Sequence, residues 1–171
     1  HVQIGSGGFG TVYELLKKDG SPVRGDRSPS LPAYLPTMPL VVKIVRATTA
    51  SEGRHARRMA KWNRALGPWV YYVENYGGYM FIVMDRWPLT LGDYLVAHIP
   101  VLYPTDKEEA LRNIATKLKQ LIARMVTAHF LCADLKPDNV VVQLNHWDQI
   151  TAMRAIDFDP KFCTRVVELG D

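Results

Sequence analysis

Cysteine is scarce in this chain of 171 residues: only Cys132 and Cys163 occur. Two are too few for a disulfide framework, which excludes the stapled secreted class, and they form no paired-cysteine zinc motif. No apolar run approaches the ~20 residues that span a bilayer, and no signal-peptide pattern opens the sequence. An intracellular setting, cytoplasmic or nuclear, with no membrane partner is therefore expected. Acidic residues are missing from one region as well: between 46 and 66 the only one is Glu52. Internal repeats are absent. What remains is ordinary for a globular protein, with 47% hydrophobic and 22% charged residues and a net charge of +4. Such a mild charge describes an unremarkable surface better than a polyanion footprint.

Residues 1–15 alternate around a glycine cluster and predict two short strands joined by a tight turn. Residues 17–39 hold five of the eleven prolines and predict an extended, exposed loop. Within it Arg24-Gly25-Asp26 matches an adhesion tripeptide and Ser28-Pro29 a phosphorylation site. Both read more simply as loop composition. "LVVKIV" (40–45) is a strand, and 51–67 a basic helix ending at Gly67-Pro68. No aromatic residues alternate with the helix charges, so they read as a solvated face rather than a nucleic-acid reader. Residues 69–87 give two strands around Gly77-Gly78.

Apolar residues then recur at Leu111, Ile114, Ala115, Leu118, Leu121, Ile122, Met125 and Val126, the spacing of one helix face over 107–128. "NVVVQL" and "MRAIDF" follow as two more short strands. The order predicts an α+β protein of two lobes with a cleft between them.

Three oddities carry chemistry. Gly5-x-Gly7-x-x-Gly10 lets backbone N–H groups approach an anion, since no Cβ intervenes. A dinucleotide fold would need a helix after the last glycine; Thr11-Val12-Tyr13 predicts a strand instead. Lys43 lies inside an apolar strand on the face of Val41 and Val45. A buried ammonium costs several kcal/mol unless an anion meets it, so Lys43 either snorkels to an edge or aims at a phosphate. Charge is concentrated between apolar flanks in "FLCADLKPDNVVV" (130–142), and Asp157 ends another apolar strand. A carboxylate there is often only a turn former. Asp134, Asn139 and Asp157 together offer a base and hard oxygens suited to Mg²⁺ carrying a polyphosphate.

In this order the motifs resemble the protein kinase family, serine/threonine branch, over nearly the whole chain. The resemblance implies a β-rich N-lobe with one helix (1–87) and an incomplete, mainly helical C-lobe (88–171). It implies ATP and Mg²⁺ as cofactors and a protein Ser/Thr hydroxyl as acceptor, with no specific nucleic acid as partner. Ile4, Gly5, Gly7, Gly8, Gly10 and Val12 would form the glycine loop. Lys43 would hold the α- and β-phosphates, and Val41 and Val141 would contact the adenine. Met84 would be the gatekeeper, with the backbone at Asp85 and Trp87 meeting the adenine edge. Asp134 would take the hydroxyl proton and Lys136 steady the γ-phosphate, while Asn139 and Asp157 would hold the metals. A nucleotide-binding scaffold without activity and a small-molecule kinase of the same fold are the alternatives.

The chain departs from the family pattern at four places. Cys132-Ala133 stands where the family has His-Arg, so activity should not depend on activation-loop phosphorylation. Asp159 replaces the glycine after Asp157-Phe158, which should restrict Asp157. No helix glutamate stands at the usual offset to pair with Lys43, where Arg57 and Arg58 occur instead. The sequence stops fourteen residues after Asp157, so the 107–128 helix should lack much of its usual cover. The Asp-Phe-Asp variant and reduced length are also similar to kinase-like proteins of large DNA viruses.

Overall fold

The computed structural model describes residues 2–7, 10–25, 37–158 and 163–165. It is a mixed α+β structure whose chain divides into two compact units, His1–Arg86 and Trp87–Asp171, against the expected 1–87 and 88–171.

The first unit is built on a five-stranded antiparallel sheet of order β1-β2-β3-β5-β4. Its strands are β1 (Val2–Gly7), β2 (Gly10–Glu14), β3 (Leu40–Arg46), β4 (Val70–Tyr76) and β5 (Tyr79–Asp85). Alternation sets which face of β3 is dry: Val41 and Val45 are buried, while Val42 and Ile44 are only partly so. Helix α1 (Ala50–Leu66) starts at a capping box in which Thr49 and Glu52 satisfy each other's backbone N–H groups. It ends where Gly67 and Pro68 follow, and Ala56, Met59 and Ala60 join Val41, Val45, Val70, Met80, Ile82 and Met84 in one core.

The flanks of the proline-rich stretch correct the expectation of an exposed loop. The Val23 N–H donates to the Leu15 carbonyl, and the Leu40 N–H donates to the Val23 carbonyl, both at 2.8 Å. Gly25 is buried against the Tyr71 ring. The segment therefore folds back along the chain before β3 because its backbone groups find partners there. Asp26 and Ser28-Pro29 lie outside the described residues.

In the second unit β6 (Leu89–Thr90) leads directly into α2 (Leu91–Ala97), again through a capping box, here of Thr90 and Asp93. Helix α3 (Pro104–Thr127) has Pro104 at its first position, where the missing N–H costs nothing. Strands β7 (Phe130–Cys132), β8 (Val140–Leu144), β9 (Ile150–Ala155) and β10 (Cys163–Arg165) follow. They form a three-stranded sheet β6-β8-β9 and a two-stranded pair β7·β10. The sequence pattern foresaw the β8–β9 hairpin, although β9 begins at Ile150 and ends at Ala155 rather than running over 153–158; it did not foresee α2, β6 or the β7·β10 pair, whose segments are too short to show a period. Asn113 Nδ2 fastens α3 to the hairpin by donating to the Ile150 carbonyl at 2.9 Å. The expected apolar face of α3 is divided: Ile114, Leu121 and Met125 are buried, whereas Leu111, Ile122 and Val126 are 47%, 48% and 68% exposed. Among the described residues no helix is long and apolar enough to cross a membrane.

Candidate functional site

In the first unit the glycines lie on a β-hairpin. Gly5 pairs with Val12 and Gly7 with Gly10, and β2 continues as a strand with no helix after the last glycine. Gly8 lies outside the described residues. Ile4 falls at an irregularity in the β1–β2 register and is 41% exposed. Gly10 has φ +146°, and a Cβ there would stand 2.5 Å from the Ile44 carbonyl oxygen; a Cβ on Gly5 would meet nothing within 4 Å. Gly10 is thus required by the close approach of β2 to β3, whereas Gly5 leaves open space.

Lys43 sits between Val12 and Ile82 in the sheet register and is 7% exposed. It therefore belongs to the dry face with Val41 and Val45, and the edge-snorkelling alternative does not describe it. Glu52 is engaged elsewhere: its carboxylate accepts from the backbone N–H of Thr48 and Thr49 and from the Thr48 hydroxyl, with Arg46 Nε at 3.7 Å. The buried face of α1 carries Ala56, Met59, Ala60, Trp62, Asn63 and Leu66 and no carboxylate, while Arg57 and Arg58 are exposed.

Val12, Val41 and Met84 all pack in the first unit's core cluster, with Val41 directly opposite Met84. Asp85 is only 2% exposed. Its backbone N–H donates to the Trp69 carbonyl at 3.0 Å, so the N–H at 85 is already engaged. Its side chain accepts from the Tyr71 hydroxyl at 2.9 Å. Burial pushes its carboxyl up to about 6, against a lowering contribution from that hydrogen bond.

In the second unit the strand β7 leads into the charged segment Asp134–Asn139, and a 3₁₀ turn over Pro137–Asn139 reverses the chain into β8. Asn139 is 7% exposed. Its Nδ2 donates to both the backbone oxygen and Oδ2 of Asp134 at 3.0 Å. Lys136 Nζ lies 3.3 Å from the same Oδ2. The Asn139 carbonyl in turn accepts from the Ile156 N–H at 2.9 Å, which fixes the residue preceding Asp157. Asp157 has φ +59°, a left-handed conformation that is uncommon for a residue with a side chain. Two anchors hold it there: the Ile156 bond before it and Phe158 after it. Phe158 is 1% exposed and edge-on to Phe130 with ring centroids 5.5 Å apart. Such strain persists only where the surroundings over-determine it. Four expected groups, Asp134, Lys136, Asn139 and Asp157, are thus linked through one hydrogen-bonded turn and its neighbouring strand end. Asp159 lies outside the described residues.

Val141 is buried on β8 opposite Thr90 and Arg154. Trp87 is buried as well, with the Arg154 guanidinium 5.6 Å from its ring centroid. Arg154 was not foreseen, because within "MRAIDF" it shows only as a polar interruption of a strand. Burial, and then the neighbouring Arg124, lower it to about 10. A second unforeseen feature lies just before the Asp134 turn. Cys132 and Cys163 are opposed across β7 and β10 and are joined by a disulfide.

The donors suit Mg²⁺ better than a fully protein-held metal. Among the described residues no group of three or more His, Cys, Asp or Glu gathers. Asn139 turns its amide nitrogen toward Asp134, so its oxygen and the Asp157 carboxylate are the hard donors. One or two such side chains, completed by phosphate oxygens and water, are what Mg²⁺ ordinarily uses. No protein-family model matches the chain, and no curated protein shows significant similarity to it.

Proposed function

We propose that this chain is an ATP-dependent serine/threonine protein kinase with a divergent protein-kinase-like fold. The observation that carries the reading is the turn in which Asn139 and Lys136 both engage Oδ2 of Asp134. The buried Asn139 amide on Oδ2 orients the carboxylate, and Oδ1 is then the oxygen for an incoming hydroxyl. Asp134 orients that hydroxyl and accepts its proton as it attacks the γ-phosphorus. Lys136, 53% exposed at its side chain, can swing from Asp134 to the γ-phosphate as negative charge shifts there. Asn139 and Asp157 would hold Mg²⁺, which when bound neutralises phosphate charge. Lys43 is assigned to the α- and β-phosphates because a buried ammonium is stabilised by an anion. Gly5, Gly7, Gly8 and Gly10, beside Ile4, are assigned to the phosphates through their backbone N–H groups. Val12, Val41, Met84, the Asp85 and Trp87 backbones and Val141 are assigned to the adenine.

One observation favours a second reading, a nucleotide-binding scaffold without turnover. Glu52 belongs to the α1 cap, and the packed face of α1 carries no carboxylate to orient Lys43. The two readings separate in one experiment. Asp134→Asn should lower radiolabel transfer from Mg·ATP to an acceptor protein by about 10²–10⁴-fold while leaving the Mg·ATP thermal shift in place. Lys43→Met should abolish the shift. Unchanged turnover in Asp134→Asn would falsify the catalytic assignment, and a wild-type thermal shift with no transfer to protein, amine or sugar acceptors selects the scaffold.

A further inference from the structure

The exposed side of α1 carries a surface that phosphoryl transfer does not use. Arg54, Arg57, Arg58, Lys61 and Arg64 are all exposed. At 100° per residue they fall within an arc of roughly 120° and extend along roughly 15 Å of helix. The opposite arc holds the buried residues Ala56, Met59, Ala60, Trp62, Asn63 and Leu66. The only acidic residue of the helix, Glu52, lies off the stripe and is engaged in the cap. Among the described residues no carboxylate forms an ion pair with any of the five. Five like charges at helical spacing repel one another, and an anion laid along them would relieve that.

The tertiary structure supplies what the helix sequence lacks. The β4–β5 hairpin turns through Gly77 and Gly78, with φ +57° and +78°. The Gly78 carbonyl accepts from the Ala47 N–H at 2.8 Å, which pins the turn beside the start of α1. Arg57, Asn75, Tyr76 and Tyr79 consequently line one shallow recess of about 250 Å³. Tyr76 is 77% and Tyr79 44% exposed, so both rings are open to a ligand. Cations in a row with accessible aromatic faces and an amide at one end match the demands of an unpaired nucleotide strand, phosphates along the stripe and bases against the rings. An acidic polypeptide would use the cations but has no need of the tyrosines.

We infer that the exposed face of α1 and the adjoining β4–β5 turn bind single-stranded nucleic acid without sequence preference. The test is fluorescence anisotropy of the full chain with a labelled oligouridylate of about 12 nucleotides, within the site size of such binders. Engagement of all five cations predicts that log K falls with log salt at a slope near −3.5, about −0.7 per phosphate contacted. Arg57→Glu with Lys61→Glu should weaken binding at least about tenfold. Tyr76→Ala and Tyr79→Ala should each weaken it by about five- to a hundredfold, and Tyr76→Phe should not. Unchanged melting curves of the variants keep the readout separate from folding. Absence of binding overturns the inference. So does equal affinity of the tyrosine variants, or displacement by polyglutamate as effective as by unlabelled oligonucleotide; the last two identify a generic acidic partner.

Discussion

The principal helices of the two units bury themselves to different extents. In the first unit α1 sets Ala56, Met59, Ala60, Trp62, Asn63 and Leu66 into the interior. In the second, α3 is longer, 24 residues against 17, yet buries only Ile114, Leu121 and Met125. The first unit therefore closes its core with one helix on one sheet face, and Lys43 sits in that dry setting. The second unit draws its apolar core more from strands and loops, with Phe130, Val140, Val142, Ile150, Met153 and Phe158 all buried, and adds discrete fastenings: the Asn113 bond to Ile150, the Tyr94 hydroxyl on the Asp148 carbonyl at 3.1 Å, and the Cys132–Cys163 bond. Apolar burial is a distributed stabilisation, whereas a fastening fails at one point.

Paired substitutions test this contrast. Met59→Ala in α1 and Leu121→Ala in α3 remove side chains that are 0% and 1% exposed, and each should cost about 2–5 kcal/mol in denaturant unfolding. Ile122→Ala and Val126→Ala, on the exposed side of α3, should fall within roughly 0.5 kcal/mol of wild type. Equal losses for the exposed and buried pairs would show that the outer face of α3 is covered in solution.

Reduction of the disulfide, which closes a separation of 31 residues, should destabilise the second unit by about 3.7 kcal/mol in the chain-entropy account. Thiol titration before and after reductant, alongside melting of Cys132→Ser, measures it. A two-stranded pair such as β7·β10 has little stability of its own, so the loss should appear first as exchange of the Phe130–Cys132 amides. Met59→Ala should leave those amides protected if each unit unfolds by itself.

The smallest of the three effects belongs to Asp85 in the first unit. Its folded-state carboxyl titrates at about 6 against an ordinary 3.8, so the native state binds the proton more tightly than the unfolded chain. Stability from this group is therefore greatest below pH 3.8 and declines as pH rises toward 6, by at most about 3 kcal/mol. Asp85→Asn retains an acceptor for the Tyr71 hydroxyl and should flatten that part of the melting-temperature profile. A slope that persists in the variant would assign the pH response to another group.

Much of the fold was legible because period and punctuation act locally. The run 40–45 appeared as β3, Gly67-Pro68 closed α1, and Gly77-Gly78 turned β4 into β5. The strand after Gly10 distinguished a hairpin from a dinucleotide turn. The two-residue alternation also placed Lys43 on the buried face. Less was legible where short segments gain their structure from distant partners. The flanks of the proline-rich stretch fold back on Leu15 and Met38, and Cys132 meets Cys163 only because β7 pairs with β10. The solvated-face reading of α1 agrees with the exposure of its five cations, while the neighbouring Tyr76 and Tyr79 come from another element and could not be placed there from the helix alone.

By itself the sequence determined the α+β class and the order of the longer elements, the side of β3 on which Lys43 lies, and the residue types at 134, 136, 139 and 157, since these follow from spacing and from the chemistry of each side chain. Only the tertiary structure decided that Asn139 locks Asp134, that Glu52 serves a helix cap, that half of the α3 face stays exposed, and that two tyrosines flank the cations of α1. The reason is physical: periodicity records which side of an element is apolar, whereas the partner that meets it depends on hydrogen bonds and packing between residues far apart in the chain.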